Sequence, residues 1–93
     1  NLYENMSDFR ISSNFPNPFN SNTQVDYELL TDMNVTFQIY NIKGQLITNL
    51  VNKDQEPGYY NIIWDGTNFA SGIYFIIMTF DQQSFSHKFT LIK

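Results

Sequence analysis

An all-β sandwich of about seven short antiparallel strands is what this sequence predicts. Three observations carry that expectation. Apolar and polar residues alternate in short runs, as where Val25, Tyr27 and Leu29 share one face and Asp26 and Glu28 the other. Turn dipeptides (Pro57-Gly58, Asp65-Gly66, Ser71-Gly72) interrupt these runs at strand-length intervals. No stretch carries the apolar spacing of a helix.

Taken in order, residues 1–13 read as linker remnant, with Phe9-Arg10-Ile11 alternating as a short first strand would. Asn14 to Asn20 contains two X-Pro steps, which remove donors and favour extended backbone. It reads as a stiff connection with Phe15 and Phe19 as core anchors. Val25 to Leu29 is a strand, Thr31 to Asn34 a turn, and Val35, Phe37 and Ile39 repeat the inward pattern against Thr36 and Gln38. Asn41 to Gly44 turns into a strand over Leu46 to Val51, and Asn52 to Gly58 reads as a polar loop. Tyr60, Ile62 and Trp64 then face one way, with Tyr59, Asn61 and Ile63 opposite. After Asp65-Gly66, Ile73 to Phe80 is apolar on both faces except Thr79, Asp81 to Gln83 turns, and Ser84 to Ile92 closes the fold. Seven strands at this spacing have the dimensions of an immunoglobulin-like sandwich.

The bulk numbers agree. Ninety-three residues make one small domain, able to bury only roughly 60–65% of its unfolded surface. Nine Phe and six Tyr supply large buried rings. Charged residues are only 15% of the chain, a composition that suits a secreted β-protein. With a net charge of −4 and its five Lys and Arg scattered, the chain lacks the basic patch that nucleic acid requires. Without cysteine there is no disulfide framework, thiolate nucleophile or Cys-based zinc site. The longest apolar run, Ile73 to Met78, is far too short to span a membrane. The start, Asn1-Leu2-Tyr3-Glu4, suggests a piece of a larger protein.

Nothing in the sequence points to catalysis, a metal or a cofactor. Asp26 and Glu28 point the same way but read as a solvated strand face. His87, the single histidine, lacks the companions of a metal site or a catalytic base and reads as a surface residue. Trp64-Asp65-Gly66 reads as a core ring followed by a turn in which Asp65 bonds the backbone and Gly66 takes a positive φ. Oxygens from Asn17, Asn20, Asn22 and Asp65 fall short of the carboxylate-rich set that calcium prefers. The sequons at Asn5 and Asn34 carry almost no weight. One feature hints at recognition. Tyr59, Ile63, Ile73, Phe75 and Ile77 are more apolar than a solvated face requires. Either both sides of these strands are covered, or the register is shifted by one, or the patch docks a partner.

Several landmarks in order resemble a known family. They are Phe15-Pro16-Asn17-Pro18-Phe19-Asn20, Ile39-Tyr40-Asn41 leading to Gly44-Gln45, Pro57-Gly58, Trp64-Asp65-Gly66, Ser71-Gly72-Ile73-Tyr74 and a final Lys93. Over residues 14–93 the chain resembles the type A C-terminal sorting domain of the type IX secretion system of Bacteroidetes-related bacteria. The central landmarks also resemble the immunoglobulin-like domain of flagellar hook-capping proteins. The opening Asn-Pro-Phe-Asn and the closing Leu91-Ile92-Lys93 favour the sorting domain.

That resemblance implies a non-catalytic sandwich carried by a secreted enzyme or adhesin. It implies export through the periplasm and outer membrane, recognition by an outer-membrane shuttle, and removal by a cell-surface sortase that often couples the cargo to anionic lipopolysaccharide. In this sequence Lys88, Phe89, Leu91 and Lys93 match the recognised terminal strand, and Gly72 and Tyr74 match the family's Gly-x-Tyr turn. His87 departs from the basic or small polar residue usual at its position. The outward Tyr59, Ile63, Phe75 and Ile77 complete the expected recognition set, and deleting Phe89 to Lys93 is expected to abolish export. Two other classes stay open: an accessory module binding carbohydrate or protein, and a structural spacer.

Overall fold

The computed structural model describes residues 8–11 and 22–92. They form β1 (Phe9–Ile11), β2 (Asn22–Leu29), β3 (Met33–Asn41), β4 (Leu46–Gln55), β5 (Gly58–Asp65), β6 (Gly72–Phe80) and β7 (Gln83–Leu91). No helix occurs among the described residues. All pairings are antiparallel, in a three-stranded sheet ordered β1-β2-β5 and a four-stranded sheet ordered β4-β3-β6-β7. An immunoglobulin constant domain places its fourth strand beside its fifth. Here the fourth lies beside the third, in the opposite sheet. The Asn14 to Asn20 segment, with Phe15, Phe19, Asn17 and Asn20, lies outside the described residues, as do Asn5 and Lys93.

Alternation in the sequence becomes alternation in burial. Along β2, Thr23, Val25, Tyr27 and Leu29 are buried while Gln24, Asp26 and Glu28 turn outward. β3 does the same with Met33, Val35, Phe37 and Ile39, and β6 with Tyr74, Ile76, Met78 and Phe80. These rows meet between the sheets. At one end of the core Phe9 stacks on Phe80 at 4.2 Å, and Tyr27 packs against Phe37 at 5.0 Å and Tyr60 at 5.2 Å. At the other end Trp64 lies against Tyr74 at 5.2 Å, Phe69 at 5.4 Å and Phe89 at 5.7 Å.

Three local expectations change. The fourth strand does not stop at Val51. Asn52, Lys53, Asp54 and Gln55 pair with Thr36, Val35, Asn34 and Met33, so the polar stretch is sheet rather than loop. An edge strand tolerates such polarity because one side of it faces water. Two register shifts in this pairing leave Leu50 and Ile47 as extra residues, both packed against the core as bulges. Gly66 is not among the glycines with positive φ, which are Gly44, Gly58 and Gly72. The turn after β5 is closed instead by the Asp65 carboxylate, which accepts from the Thr67 amide at 2.9 Å, and by the Phe69 amide donating to the Gly66 carbonyl at 3.0 Å. His87 is half-buried on the inward row of β7, its ring edge-on to Phe89 at 6.3 Å, rather than on the surface.

The β6–β7 hairpin turns through Asp81, whose φ of 54° is left-handed. Two bonds hold it there: its amide donates to the Asn34 carbonyl at 2.8 Å, and its carboxylate accepts from the Asn34 amide at 2.8 Å. Asp residues tolerate this conformation better than most because of such local bonds.

Candidate functional site

The residues singled out from sequence fall into three places. Phe89, Leu91 and Tyr74 are buried in the core. Phe89 stacks on Trp64, and the Tyr74 hydroxyl donates to the Ala70 carbonyl at 2.6 Å. That last contact, from a tyrosine near the start of the sixth strand to backbone a few residues upstream, is the tyrosine corner of immunoglobulin-like sandwiches. Gly72, with φ at 156°, opens β6 opposite Leu91, in a conformation that disfavours a side chain. These four positions seat the last strand on the sheet; none offers a side chain outward for a partner to touch.

Phe75, Ile77 and Lys88 lie together on the outer face of the four-stranded sheet. Register places Phe75 between Tyr40 of β3 and Lys88 of β7, and Ile77 between Gln38 and Ser86. Tyr40 is in turn opposite Leu46 of β4, which is 48% exposed. Directly opposed side chains in an antiparallel pair lie about 4.5–5.5 Å apart at Cβ. The row Leu46, Tyr40, Phe75, Lys88 therefore crosses the whole sheet as an apolar stripe ending in a cation. Ile73, opposite Thr90, extends it toward one end. Phe75, Ile77, Ile73 and Tyr40 are half-buried, and hydroxyl and amide residues surround them: Thr36, Gln38, Asn49, Ser84 and Ser86. β7 is the edge of this sheet among the described residues.

Tyr59 and Ile63 do not share that face. They sit on the outer side of β5, in the other sheet, opposite Glu28 and Gln24 of β2. The expectation of one face carrying Tyr59, Ile63, Phe75 and Ile77 is thus corrected: β5 and β6 follow each other in sequence but belong to different layers. Two apolar outcrops point in opposite directions.

The acidic pair is on the β2 face. Glu28 forms an ion pair with Arg10 at 3.3 Å, and Asp26 accepts from the side-chain amides of Gln24, at 3.3 Å, and Asn61. Such a network of exposed polar partners is a solvated sheet face. At one end of the sandwich Asp32, Asp54, Glu56 and Asp81 border a shallow cleft with Asn34 and Gln55. Its carboxylates are used in part by the fold, Asp54 accepting from the Asn34 side chain at 3.0 Å. Among the described residues no group of His, Cys, Asp and Glu is arranged to hold a metal ion, and no helix is long and apolar enough to cross a membrane.

The polar partner that sequence reasoning missed is Gln55. It is buried, and its Oε1 accepts from the Tyr27 hydroxyl at 2.6 Å, joining the two sheets. Burial chiefly, with the neighbouring Tyr60 phenol adding to it, pushes the Tyr27 hydroxyl up to about 12.

A family model described as the secretion system C-terminal sorting domain matches residues 13–93. No curated protein and no solved structure matches the chain.

Proposed function

The chain belongs to the family of secretion-system C-terminal sorting domains, and on that premise we propose that its outer four-stranded face is what the export machinery reads. A domain of this family is a sorting signal for type IX secretion, an address rather than a catalyst. It implies contact with the secretion machinery and export of the attached protein through the outer membrane.

The finer reading is ours. The recognised domain spans residues 14–93, with the strand at Phe9 docked onto it. An outer-membrane shuttle binds the stripe of Tyr40, Phe75 and Ile77 with Lys88 at its rim. A sortase then removes the domain at the cell surface, where the cargo is attached to anionic lipopolysaccharide. The domain itself catalyses nothing. One observation carries this: Phe75 has Lys88 and Tyr40 as its two cross-strand partners, on the outer face of the four-stranded sheet. An apolar centre with a polar, cationic rim is the usual anatomy of a docking patch.

Buried Phe89, Leu91 and Tyr74 serve in this reading by holding β7 in place, and Lys93, outside the described residues, is kept as a second cation of the address. Deleting Phe89 to Lys93 therefore removes core as well as address. A cleaner test alters the surface alone. With the whole chain fused to an inert reporter in a host that has this system, F75S/I77S/K88E should abolish export while leaving the thermal unfolding midpoint within a few degrees. Normal export of that triple variant would place the address elsewhere.

A further inference from the structure

We infer that β5, which among the described residues pairs with β2 alone, adds its other edge over Tyr59 to Ile63 to the same edge of a second copy, joining two three-stranded sheets into one of six. The inference does not depend on how the export machinery reads the opposite face.

Among the described residues the sandwich has four edge strands, and three of them carry features that discourage pairing. β1 is three residues long with Arg10 at its centre. β4 is bent by its two bulges and carries Lys53 and Asp54. The outward positions of β7 are Ser84, Ser86, Lys88 and Thr90, so covering them buries little apolar surface. β5 has none of these devices. Its eight residues pair with β2 without a register shift, and no charge occurs from Gly58 to Trp64. Its outward row holds Tyr59, 84% exposed, and Ile63, 55% exposed.

Self-pairing is the occupant that this edge fits. A two-fold axis perpendicular to the strand sets it antiparallel to its own copy, so the contact is isologous and closes on itself. An axis through Asn61 brings Tyr59 of each copy opposite Ile63 of the other. Aromatic against β-branched is a favourable cross-strand pair, and it occurs twice. On the inner row the same register sets Tyr60 opposite Ile62, both only half-buried in the single sandwich. No like charges meet, because Asp65 falls opposite Pro57 and beyond the paired stretch. Asn61 lies on the axis, its side-chain amide held by Asp26 of its own copy.

The register makes the test specific. Sedimentation equilibrium of the whole chain, from micromolar to millimolar, should show the apparent mass rising toward twice 10.9 kDa. Y59K/I63K sets lysines opposite lysines and should remain at the single-chain mass with an unchanged circular dichroism spectrum. Y59K/I63E sets Lys opposite Glu and should recover the dimer, with an affinity that falls as salt is added. A wild-type chain at single mass at every concentration overturns the inference. So does a dimer that survives Y59K/I63K, or one that Y59K/I63E fails to restore. Because none of these substitutions touches Phe75, Ile77 or Lys88, export of the Y59K/I63K fusion should be normal, which keeps this surface separate from the sorting address.

Discussion

At one end of the sandwich the Tyr27 hydroxyl, on β2, donates over 2.6 Å to the side chain of Gln55 on β4. At the other, the Tyr74 hydroxyl, on β6, donates over 2.6 Å to the backbone carbonyl of Ala70, in the connection that leads from β5. Both phenols tie the two sheets together through a ring packed among aromatics. They differ in what happens when the bond is lost. Gln55 is itself buried, so its oxygen has no water to turn to; Ala70 is an exposed residue, so its carbonyl does. The desolvation cost of an orphaned acceptor therefore weighs on the Tyr27 end alone. A buried pair of side chains thus costs more to break than a side chain bonded to an exposed main-chain oxygen.

The largest effect expected comes from removing the ring around which the second end is packed. Trp64→Ala takes away the partner of Tyr74, Phe69 and Phe89 together. Large aromatic-to-alanine changes in a core cost about 3–5 kcal/mol, and a domain this small has little stability in reserve. Urea unfolding should show the midpoint falling sharply, or no folded baseline at all. A loss under about 1 kcal/mol would mean that Trp64 is not part of the shared core, and the two ends could no longer be compared as halves of one structure.

Next comes Tyr27→Phe, which keeps the stacking on Tyr60 and the contact with Phe37 but orphans the Gln55 oxygen. It should cost about 1–3 kcal/mol. The same residue gives this end a signature in pH. The hydroxyl is raised from 10.0 to about 12, so the folded state holds its proton where the unfolded chain releases it. That contribution is fully present below pH 10 and is lost as pH rises toward 12. Unfolding midpoints measured on the two sides of that window should fall more steeply for the wild type than for Tyr27→Phe. Equal slopes would mean that the Tyr27 proton is not linked to folding.

The two ends also differ in how far they could be read from sequence. Tyr74 follows a turn, Ser71-Gly72, at a short fixed spacing, and its acceptor is main chain, so a local motif is enough to find it. The Tyr27 bond needs Gln55, 28 residues away, in a stretch whose polarity argued for a loop. Polarity is a poor guide on an edge strand, where water takes one side and the pairing uses only backbone. The outward row of β6 was legible for the same local reason that β2 and β3 were, since alternation survives within a single strand. Grouping Tyr59 and Ile63 with Phe75 and Ile77 failed because strands next to each other in sequence lie in different sheets, and nothing local to either strand records which layer it joins. Likewise Gly66 looked like a turn glycine needing positive φ, yet the Asp65 carboxylate closes that turn from the side chain.

The smallest effect belongs to Tyr74→Phe, and it decides the comparison. The phenylalanine ring keeps the edge contact with Trp64 at 5.2 Å, so packing at this end is unchanged. Only the bond to Ala70 is lost, and the freed carbonyl, on an exposed residue, can be taken up by water. The cost should then be the net value of one hydrogen bond, about 0.5–1.5 kcal/mol, below that of Tyr27→Phe. Paired equilibrium unfolding of the two variants in one buffer at neutral pH reads the difference directly. If Tyr74→Phe proves the more damaging of the two, water does not replace the hydroxyl at Ala70. The corner would then be a sealed junction whose loss loosens the start of β6, and with it the seat of β7.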